Sequence, residues 1–525
     1  MKTLILMVLA LVLLLAPVGS GQALRFDFRG DLPFDRFGHA IASGGDINRD
    51  GFEDILVGAP VNSSSCNSGG FVRAFSGKDG AVLFTVHGHC LDGETSGLGW
   101  SVANAGDVNE DGWPDMVAGA IFDDLVGGDS GSAKLFLGPY GAVRYTFTGT
   151  FGDRSLFGYS VAGGADLNGD GVPDVIIGAP DDNSAGGAGG VFLFSGKDGS
   201  LIQAILSDEF PYLILGRAVA LAGDWNQDGV TDFAVGAPYF FGPTPGIVRV
   251  YSGKGRMVLA TLSGEFAGDA FGATLANAGD VNADGRDDLI VGAYDYFGTT
   301  PGKAFVFSGG NGALLYAFSG NQPKDYFGLS VAGAARNRAL LGAGDVNGDG
   351  HADLLVGNWA YQISLGYVHL YSGKTGALLY RFDEASLGSA FGSSVAGLGD
   401  LDHDGLQDFA IGNYHEDQDR GHVRVHLGND LFLCARPRSV VAGQTITLTV
   451  REMTAGDRAL LTVTDVDGSA VFLPVATGTF DGTGTWQISA IVPPGFSGLT
   501  VALRAYAMDA AGKVRDSEDE AVRVQ

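Results

Sequence analysis

The sequence predicts an all-β protein built on a seven-bladed β-propeller. Three observations predict it: one phrase recurs seven times, an alternating hairpin phrase separates the copies, and 85 of the 525 residues are glycine. Glycine costs up to ~1 kcal/mol per helical site relative to alanine, whereas short strands with tight turns accommodate it. The 45% hydrophobic content excludes a disordered chain. The net charge of −28 excludes a nucleic-acid binder that works by counterion release.

The recurring phrase opens with Phe-Gly or Leu-Gly, continues through an acidic stretch, and closes near Gly-Ala. Its copies begin at Phe37, Leu98, Phe157, Leu215, Phe271, Phe327 and Phe391. The sixth copy is longer around residues 335–341. A period of roughly 60 residues is the signature of a repeat architecture.

A second phrase lies between the copies, for example at Gly69–Val86, Gly189–Leu206 and Gly366–Phe382. Apolar and polar residues alternate on both sides of a Gly-rich turn, which predicts a β-hairpin. The first phrase adds two short apolar runs, so each unit supplies four strands. Four-stranded units repeated seven times fit a propeller, which has ~4–8 blades.

The seventh unit contains a third strand at His422–Leu427 but no fourth strand after it. At the other end of the chain, Leu24–Phe28 precedes Arg29-Gly30-Asp31 as the fourth strand of other units precedes its glycine. We therefore expect the N-terminal strand to complete blade seven and to remove an open sheet edge. The predicted propeller covers residues 24–429.

The first 23 residues have the pattern of a secretory signal peptide. Lys2 precedes an apolar run from Leu4 to Ala16, and small residues follow it. The run is shorter than the ~20 residues of a membrane span, and no second long apolar run occurs. The sequence thus predicts a secreted or cell-surface protein with no membrane span in the mature chain.

The period disappears after Asp430, and residues 430–525 contain alternating runs such as Thr445–Val450 and Val501–Ala505. Their length and pattern predict a small β-sandwich of the immunoglobulin or fibronectin type. We find no motif in this region that points to a function.

Each copy of the first phrase carries the pattern D-x-[ND]-x-D-G-x-x-D. Clustered carboxylates repel one another unless a cation sits among them, and Ca2+ takes 6–8 hard oxygen ligands. Positions 1, 3, 5 and 9 would supply side-chain oxygens, and position 6 is glycine because the turn needs positive φ. Solvated acidic turns without metal are the alternative interpretation. The predicted ligands of up to seven structural Ca2+ ions are Asp46, Asn48, Asp50, Asp54, Asp107, Asn109, Asp111, Asp115, Asp166, Asn168, Asp170, Asp174, Asp224, Asn226, Asp228, Asp232, Asp280, Asn282, Asp284, Asp288, Asp345, Asn347, Asp349, Asp353, Asp400, Asp402, Asp404 and Asp408.

These phrases resemble the FG-GAP repeats of integrin α-subunit propellers over roughly Leu24 to Asn429. The resemblance implies calcium at the bottom of each blade and a ligand or partner on the opposite, upper face. All seven loops match here, whereas integrin α-subunits typically carry such loops in only some blades. The short C-terminal region also departs from a long integrin leg, so the resemblance favours the related bacterial secreted proteins.

On that layout, aromatic side chains in the loops after the Gly-Ala phrases face upward and are candidate ligand contacts. The alternative is that they pack between blades. The candidates are Tyr239, Phe241, Tyr296, Trp359, Tyr361 and Tyr414. Cys66 and Cys90 belong to the same face, and we expect them to form a disulfide because an exported protein can keep one.

Two short motifs are explained by the repeat. Gly30 of Arg29-Gly30-Asp31 recurs in other units, and the serine of the Gly-Tyr-Ser string at 158–160 also recurs. We therefore interpret neither as an adhesion tripeptide or a nucleophile.

Taken together, the sequence predicts an exported, calcium-binding adhesion or ligand-binding module without catalytic activity. Its expected partner is a protein or a glycan. The alternative is a carbohydrate-active protein, either a lectin or a lyase or hydrolase on a propeller scaffold, because glycosidase chemistry needs two carboxylates ~5–10 Å apart.

Overall fold

The computed structural model describes residues 24–61, 69–91, 94–125, 128–149, 155–181, 189–206, 214–240, 245–333, 344–359, 366–384 and 390–428, together with the backbone of strands between 432 and 524. The predicted signal peptide and the extra residues at 335–341 lie outside the described residues. The chain divides into two compact units: residues 25–345 and 349–427 form one, and residues 1–24, 346–348 and 428–525 form the other.

Short strands account for nearly all regular structure in the first unit. In chain order they are β1 (Leu24–Arg29), β2 (Ala40–Gly45), β3 (Asp54–Ala59), β4 (Phe71–Phe75), β5 (Val82–His87), β6 (Cys90–Leu91), β7 (Glu94–Thr95), β8 (Leu98–Gly106), β9 (Asp115–Ala120), β10 (Ser132–Leu137), β11 (Ala142–Thr148), β12 (Ser160–Ala165), β13 (Asp174–Ala179), β14 (Gly190–Phe194), β15 (Leu201–Leu206), β16 (Ala218–Gly223), β17 (Asp232–Ala237), β18 (Ile247–Tyr251), β19 (Val258–Ser263), β20 (Thr274–Gly279), β21 (Asp288–Ala293), β22 (Lys303–Phe307), β23 (Leu314–Ser319), β24 (Ser330–Gly333), β25 (Leu354–Gly357), β26 (Tyr367–Tyr371), β27 (Leu378–Asp383), β28 (Phe391–Gly399), β29 (Asp408–Asn413) and β30 (His422–His426). One helical turn, α1 (Glu416–Asp419), lies between β29 and β30.

Twenty-eight of these thirty strands form seven four-stranded sheets, which confirms the predicted all-β, seven-bladed propeller, and β6 pairs with β7 in a separate two-stranded sheet. Blades 1 to 6 are β2-β3-β4-β5, β8-β9-β10-β11, β12-β13-β14-β15, β16-β17-β18-β19, β20-β21-β22-β23 and β24-β25-β26-β27. Blade 7 has the order β1-β30-β29-β28. The N-terminal strand therefore completes the last blade, as the sequence predicts.

The core lies between neighbouring blades. The second strand of a blade is buried along its whole length, as in Asp174–Ala179, because strands flank it in its own sheet and other blades cover both faces. One cluster joins Ile176 and Leu193 of blade 3 to Phe233 and Val235 of blade 4. The fourth strand is half exposed, as in Leu201–Leu206, and the first strand is partly exposed, as in Ala40–Gly45, so burial is greatest at the second strand.

Glycines join consecutive copies of the repeat in space. A Cβ added to Gly119, in the Gly-Ala phrase of blade 2, would lie 1.8 Å from the carbonyl oxygen of Gly158 at the start of blade 3. Gly178 meets Gly216 at 2.1 Å in the same way. The end of one phrase thus packs against the beginning of the next, and any side chain there would separate the blades.

Strands in residues 432–524 form two further sheets. They are β31 (Phe432–Arg436), β32 (Ser439–Val440), β33 (Thr445–Arg451), β34 (Arg458–Val466), β35 (Ser469–Thr479), β36 (Trp486–Ile491), β37 (Thr500–Met508), β38 (Val514–Asp516) and β39 (Glu520–Val524). One sheet has the order β31-β33-β36, and the other β32-β39-β37-β34-β35, with β38 on β37. The immunoglobulin-like sandwich and the predicted domain boundaries remain predictions.

Across the part of the chain that the structure describes, no helix is both long and apolar enough to cross a membrane.

Candidate metal centres and ligand-binding face

The acidic loops connect the first and second strands of each blade. In blade 1 the carboxylate of Asp46 accepts hydrogen bonds from the backbone N–H groups of Asp50 and Gly51, both at 2.9 Å. The Asn48 amide donates to the Asp50 carboxylate at 3.1 Å. Gly51 has φ +91°, and its counterparts in the other loops also have positive φ. The loop therefore curls around its own side-chain oxygens.

The ninth residue of the pattern is a buried aspartate in every blade. Relative exposure is 0–1% for Asp54, Asp115, Asp174, Asp232, Asp288, Asp353 and Asp408. In blade 5 the Asp288 carboxylate accepts from the N–H of Val281 at 2.9 Å and from the N–H of Gly309 at 2.8 Å. It therefore joins the acidic loop to the turn between the third and fourth strands.

Burial makes these carboxylates costly to ionise in the absence of a cation. Burial raises the pKa of Asp288 to about 7, although backbone hydrogen bonds partly oppose the shift. Burial likewise raises the pKa of Asp115 to about 6. A hard cation would offset that penalty, which is a chemical reason to expect one beside them.

Side chains of the pattern converge most closely in loops six and seven. Asp345, Asp349 and Asp353 each offer an oxygen, and these oxygens lie within 4.8 Å of one another. Asp400, Asp402 and Asp408 form an equivalent group. All-oxygen donor sets with carboxylate, amide and backbone carbonyl groups fit Ca2+ better than a softer metal.

The acidic loops also contact one another around the ring. The Arg49 side chain of loop one donates to the carbonyls of Gly112 at 2.8 Å and Asp111 at 2.9 Å in loop two. His403 of loop seven lies 3.0 Å from the Gly51 carbonyl of loop one. Contacts of this kind place the candidate metal loops on one continuous lower face.

The opposite face, where the loops after each second strand lie, contains a cavity of about 780 Å³. Three of the predicted ligand residues line it: Tyr296, Trp359 and Tyr414. Tyr239 instead packs against the core cluster between blades 3 and 4. Phe241 and Tyr361 lie outside the described residues. The structure thus brings half of the predicted set together.

The cavity also holds side chains that the sequence did not single out. His39, Trp100, Tyr159 and Arg217 follow the opening Phe-Gly or Leu-Gly of blades 1 to 4, and all four line the cavity. The third position of the phrase is the one sequence signal for these residues. It differs from copy to copy while the positions around it repeat, so no periodic pattern marks it.

Two basic side chains, Arg217 and His39, are among the described residues that line the cavity. Of these, Arg217 carries a positive charge at neutral pH and His39 does not. The Arg217 guanidinium lies 4.3 Å from the ring centroid of Tyr159 and 5.7 Å from that of Phe240. Burial by itself lowers the pKa of Arg217, but interactions with Tyr159 and Tyr294 outweigh burial and raise it. Burial lowers the pKa of His39 to about 4, and its Nδ1–H donates to the Trp100 carbonyl at 3.0 Å.

A second cluster on this face was also missed by sequence reasoning. Glu384, Glu416 and His422 offer ligand atoms within 4.8 Å of one another. However, Arg424 lies 3.0 Å from the Glu384 carboxylate, and His422 Nδ1 lies 2.5 Å from that of Glu416. Arg424 thus pairs with the Glu384 carboxylate. Burial lowers the pKa of His422 to about 4, so the neutral His422 contributes a hydrogen bond to Glu416 rather than a charge. We interpret the group as a polar contact between blades 6 and 7.

Cys90 is in a disulfide, and Cys66 lies outside the described residues. The hydroxyl of Ser160 donates to the Gly216 carbonyl at 2.9 Å, and that of Ser101 donates to the Gly158 carbonyl at 2.8 Å. Both serines therefore hold one blade against the next. A Cβ on Gly30 would lie 2.3 Å from the Arg420 carbonyl oxygen, which explains this glycine by packing.

Comparisons with known proteins agree with this architecture. The FG-GAP repeat family model matches residues 37–82, 157–194, 215–252 and 271–313, and an FG-GAP-like repeat model matches 345–411. Integrin alpha-V of Gallus gallus is 36% identical over 226 residues, which cover 38% of this chain and 20% of that protein. Integrin alpha-7 of Homo sapiens is 39% identical over 148 residues, covering 26% and 12%. The chain thus matches about a fifth or less of these relatives' length.

Solved structures align only distantly. A Dos1 propeller aligns at TM-score 0.41 and 10% identity over 72% of this chain and 76% of that one. The V. cholerae biofilm matrix protein Bap1 aligns at TM-score 0.42 and 12% identity over 78% and 89%. Alignments at these scores carry no argument about function. The matched repeats and the seven observed blades instead show that the chain contains FG-GAP repeats folded as a seven-bladed β-propeller that is similar to the integrin α propeller.

Proposed function

We propose that this chain is an exported, calcium-binding β-propeller that serves as an adhesion or ligand-binding module and has no catalytic activity. The observation that carries the proposal is that the two opposite faces of the propeller have different chemistry. One face repeats an all-oxygen donor loop in every blade, and the other gathers aromatic side chains and one arginine around a single cavity.

Calcium is supported by the chemistry of the loops. Their donors are hard oxygens, and the buried ninth aspartate has a pKa raised by burial in blades 1 to 5. A divalent cation would allow these groups to ionise without the full desolvation cost. The loops join strands of a rigid blade, so the proposed role of the metal is structural.

Calorimetric titration of the chelator-treated chain tests the metal. We expect binding of several Ca2+ ions and a melting temperature that rises with calcium concentration. At a hundredfold excess of free calcium over Kd, each occupied site should add about 2.7 kcal/mol to the free energy of unfolding. Mg2+ at equal concentration should bind more weakly, because it prefers six-coordinate sites that retain water. An unchanged melting temperature after chelation would contradict the calcium proposal.

Ligand binding is supported by the upper cavity, whose volume lies in the ~300–1,000 Å³ range of small-ligand sites, and by the relatives named integrin alpha. Export is supported by the N-terminal apolar segment. Immobilised calcium-loaded protein should retain cells or extracellular material, and free protein should compete for that retention. Equal retention on a surface coated with an unrelated acidic protein would contradict an adhesion role.

A lectin is the second candidate, and the composition of the cavity favours it over a hydrolase. None of the described residues that line the cavity is aspartate or glutamate, so the cavity lacks the carboxylate pair that glycoside hydrolysis needs. A glycan array probed with and without calcium tests this candidate.

A further inference from the structure

We propose that the upper cavity binds a sugar acid, with Arg217 holding the carboxylate and the aromatic walls holding the ring. This proposal rests on the ligand-binding role proposed above and names the chemical class of the ligand. Three features of the cavity carry it: an arginine that forms no direct ion pair among the described residues, a set of aromatic walls, and the absence of acidic side chains among its described lining residues.

Arg217 forms no direct ion pair among the described residues. No described carboxylate lies within ion-pair distance of it, and Asp181 acts on it only through a Coulombic interaction. Tyr159 and Tyr294 are its side-chain hydrogen-bond partners. A guanidinium has five N–H donors in a planar fork, so donors remain for a bound group. A carboxylate is the anion whose two oxygens match that fork.

The walls suit a ring better than a flexible chain. Trp100 lies with its ring centroid 5.5 Å from that of Tyr159, and Tyr326 lies 6.2 Å from Trp359 across the cavity lining. Aromatic side chains present broad faces that pack against flat partners while a hydroxyl or N–H stays available for hydrogen bonding. A pyranose ring offers both an apolar C–H face and hydroxyl groups, so it uses both properties of these walls.

Charge limits the ligand to one carboxylate or a few. Arg217 is the one arginine or lysine among the described lining residues, so the described lining offers one permanent cation to a ligand. A single carboxylate at the end of a saccharide needs only Arg217. We therefore favour a terminal uronic acid residue over a long polyuronate, and over an acidic peptide that would use few of the aromatic walls.

The test is calorimetric titration of the full calcium-loaded chain with methyl glucuronide, methyl glucoside and N-acetyl-glutamate amide. We expect the glucuronide to bind at least tenfold more tightly than either other probe. Arg217→Gln should weaken glucuronide binding about 10- to 100-fold, as loss of a charged hydrogen-bonded pair does. Arg217→Lys keeps the charge and should bind between the two. Arg29→Gln removes an exposed cation outside the cavity and should bind like the wild type.

Each alternative outcome overturns the assignment. Equal binding of glucoside and glucuronide would remove the role of Arg217, and tighter binding of the acidic amino acid would assign the cavity to a protein carboxylate. If both Arg217 variants bound glucuronide with wild-type affinity, Arg217 would likewise have no role in binding. If the protein retains cells but does not bind the glucuronide, only this inference is overturned. If it neither retains cells nor binds calcium, the proposed function itself is overturned.

Discussion

Two aspartates of the acidic loop, at positions five and nine of the pattern, have different surroundings that the sequence pattern does not reveal. In blade 5, buried Asp288 accepts backbone N–H groups from the loop and from the neighbouring turn. Asp284 is exposed, and its carboxylate accepts the N–H of Arg286 at 3.0 Å and the Ser308 hydroxyl at 3.3 Å. Asp288 therefore holds the loop and the turn together whether or not metal is present. We propose that Asp284, which is exposed, acts mainly as a ligand of the metal.

This difference predicts that replacing each aspartate by asparagine has a different effect in calcium and in chelator. Asp288→Asn places an N–H2 group against a backbone N–H, so it should cost about 1–3 kcal/mol both with calcium and with chelator. Asp284→Asn should lower the melting temperature chiefly in calcium. Thermal melts of both variants in the two buffers check this, and equal losses in chelator would contradict the division of roles.

The loop glycine acts through backbone conformation alone. Gly229 has φ +86°, and a Cβ there would meet nothing within 4 Å. Gly229→Ala should therefore destabilise by about 1–2 kcal/mol, the cost of a left-handed conformation for an L-residue. Gly255 lacks a positive φ, and its Cβ would lie 3.9 Å from Ser252 Oγ, so Gly255→Ala should change stability by less than about 0.5 kcal/mol. Chemical denaturation of both variants compares them.

His369 gives the propeller a dependence on acid. Burial lowers its pKa to about 4, below the ~6.5 of an unfolded histidine. Between these values the unfolded chain binds a proton that the folded chain does not, so stability falls as pH falls from 6.5 to 4. In calcium-loaded protein, His369→Gln should flatten this slope, and His39→Gln should flatten it too, since burial also lowers the pKa of His39 to about 4. Denaturation midpoints across that pH range measure the slope, and an unchanged slope in both variants would contradict the assignment.

At the scale of the element, strand β1 is part of one blade and contacts the next. It forms the outer strand of blade 7, while Arg25 donates to the carbonyls of Gly77 at 3.2 Å and Lys78 at 2.9 Å in blade 1. Phe28 stacks on Phe75 with ring centroids 4.0 Å apart. The strand therefore fastens the seam where the last blade meets the first.

Weakening this strand should open the seam. Phe28 is half buried, so Phe28→Ala should cost about 2 kcal/mol, roughly half of the loss at a fully buried site. Leu24 is 52% exposed, and Leu24→Ala is the matched control, with less than about 0.5 kcal/mol expected. Denaturation experiments measure both.

Deletion of residues 24–29 carries the same idea further. The shortened chain should lose stability and recover it when a peptide of that sequence is added, because a free edge accepts a strand. A shortened chain as stable as the parent would show that β1 does not close the ring.

At the scale of the whole molecule, the repeat explains why the fold was predictable. The glycines that define its two ends touch across consecutive blades, as Gly119 and Gly158 do, so the letters of the pattern record contacts between blades as well as within them. Turn glycines and loop aspartates are equally local, and each lies within one short phrase. The fold class and the positions of the acidic loops could therefore be predicted from sequence, whereas calcium binding by these loops stays a prediction.

The cavity could not be predicted in the same way. Its lining combines one variable position per blade, such as Trp100, Tyr159 and Arg217, with loop residues such as Trp359. These residues are far apart in the chain and meet only when the ring closes. Their types differ because the position faces a shared cavity rather than a repeated neighbour, so no periodic signal marks it.

The position of β1 also has a consequence for synthesis in the cell. Of the propeller strands, the ribosome makes β1 first, yet its partner β30 (His422–His426) emerges only after the sequence of six blades has been translated. Until then β1 remains an unpaired strand at the start of a growing, open arc. Because distant partners close slowly, we expect final assembly to follow translation rather than accompany it, and any helper that protects nascent chains should bind near this first strand.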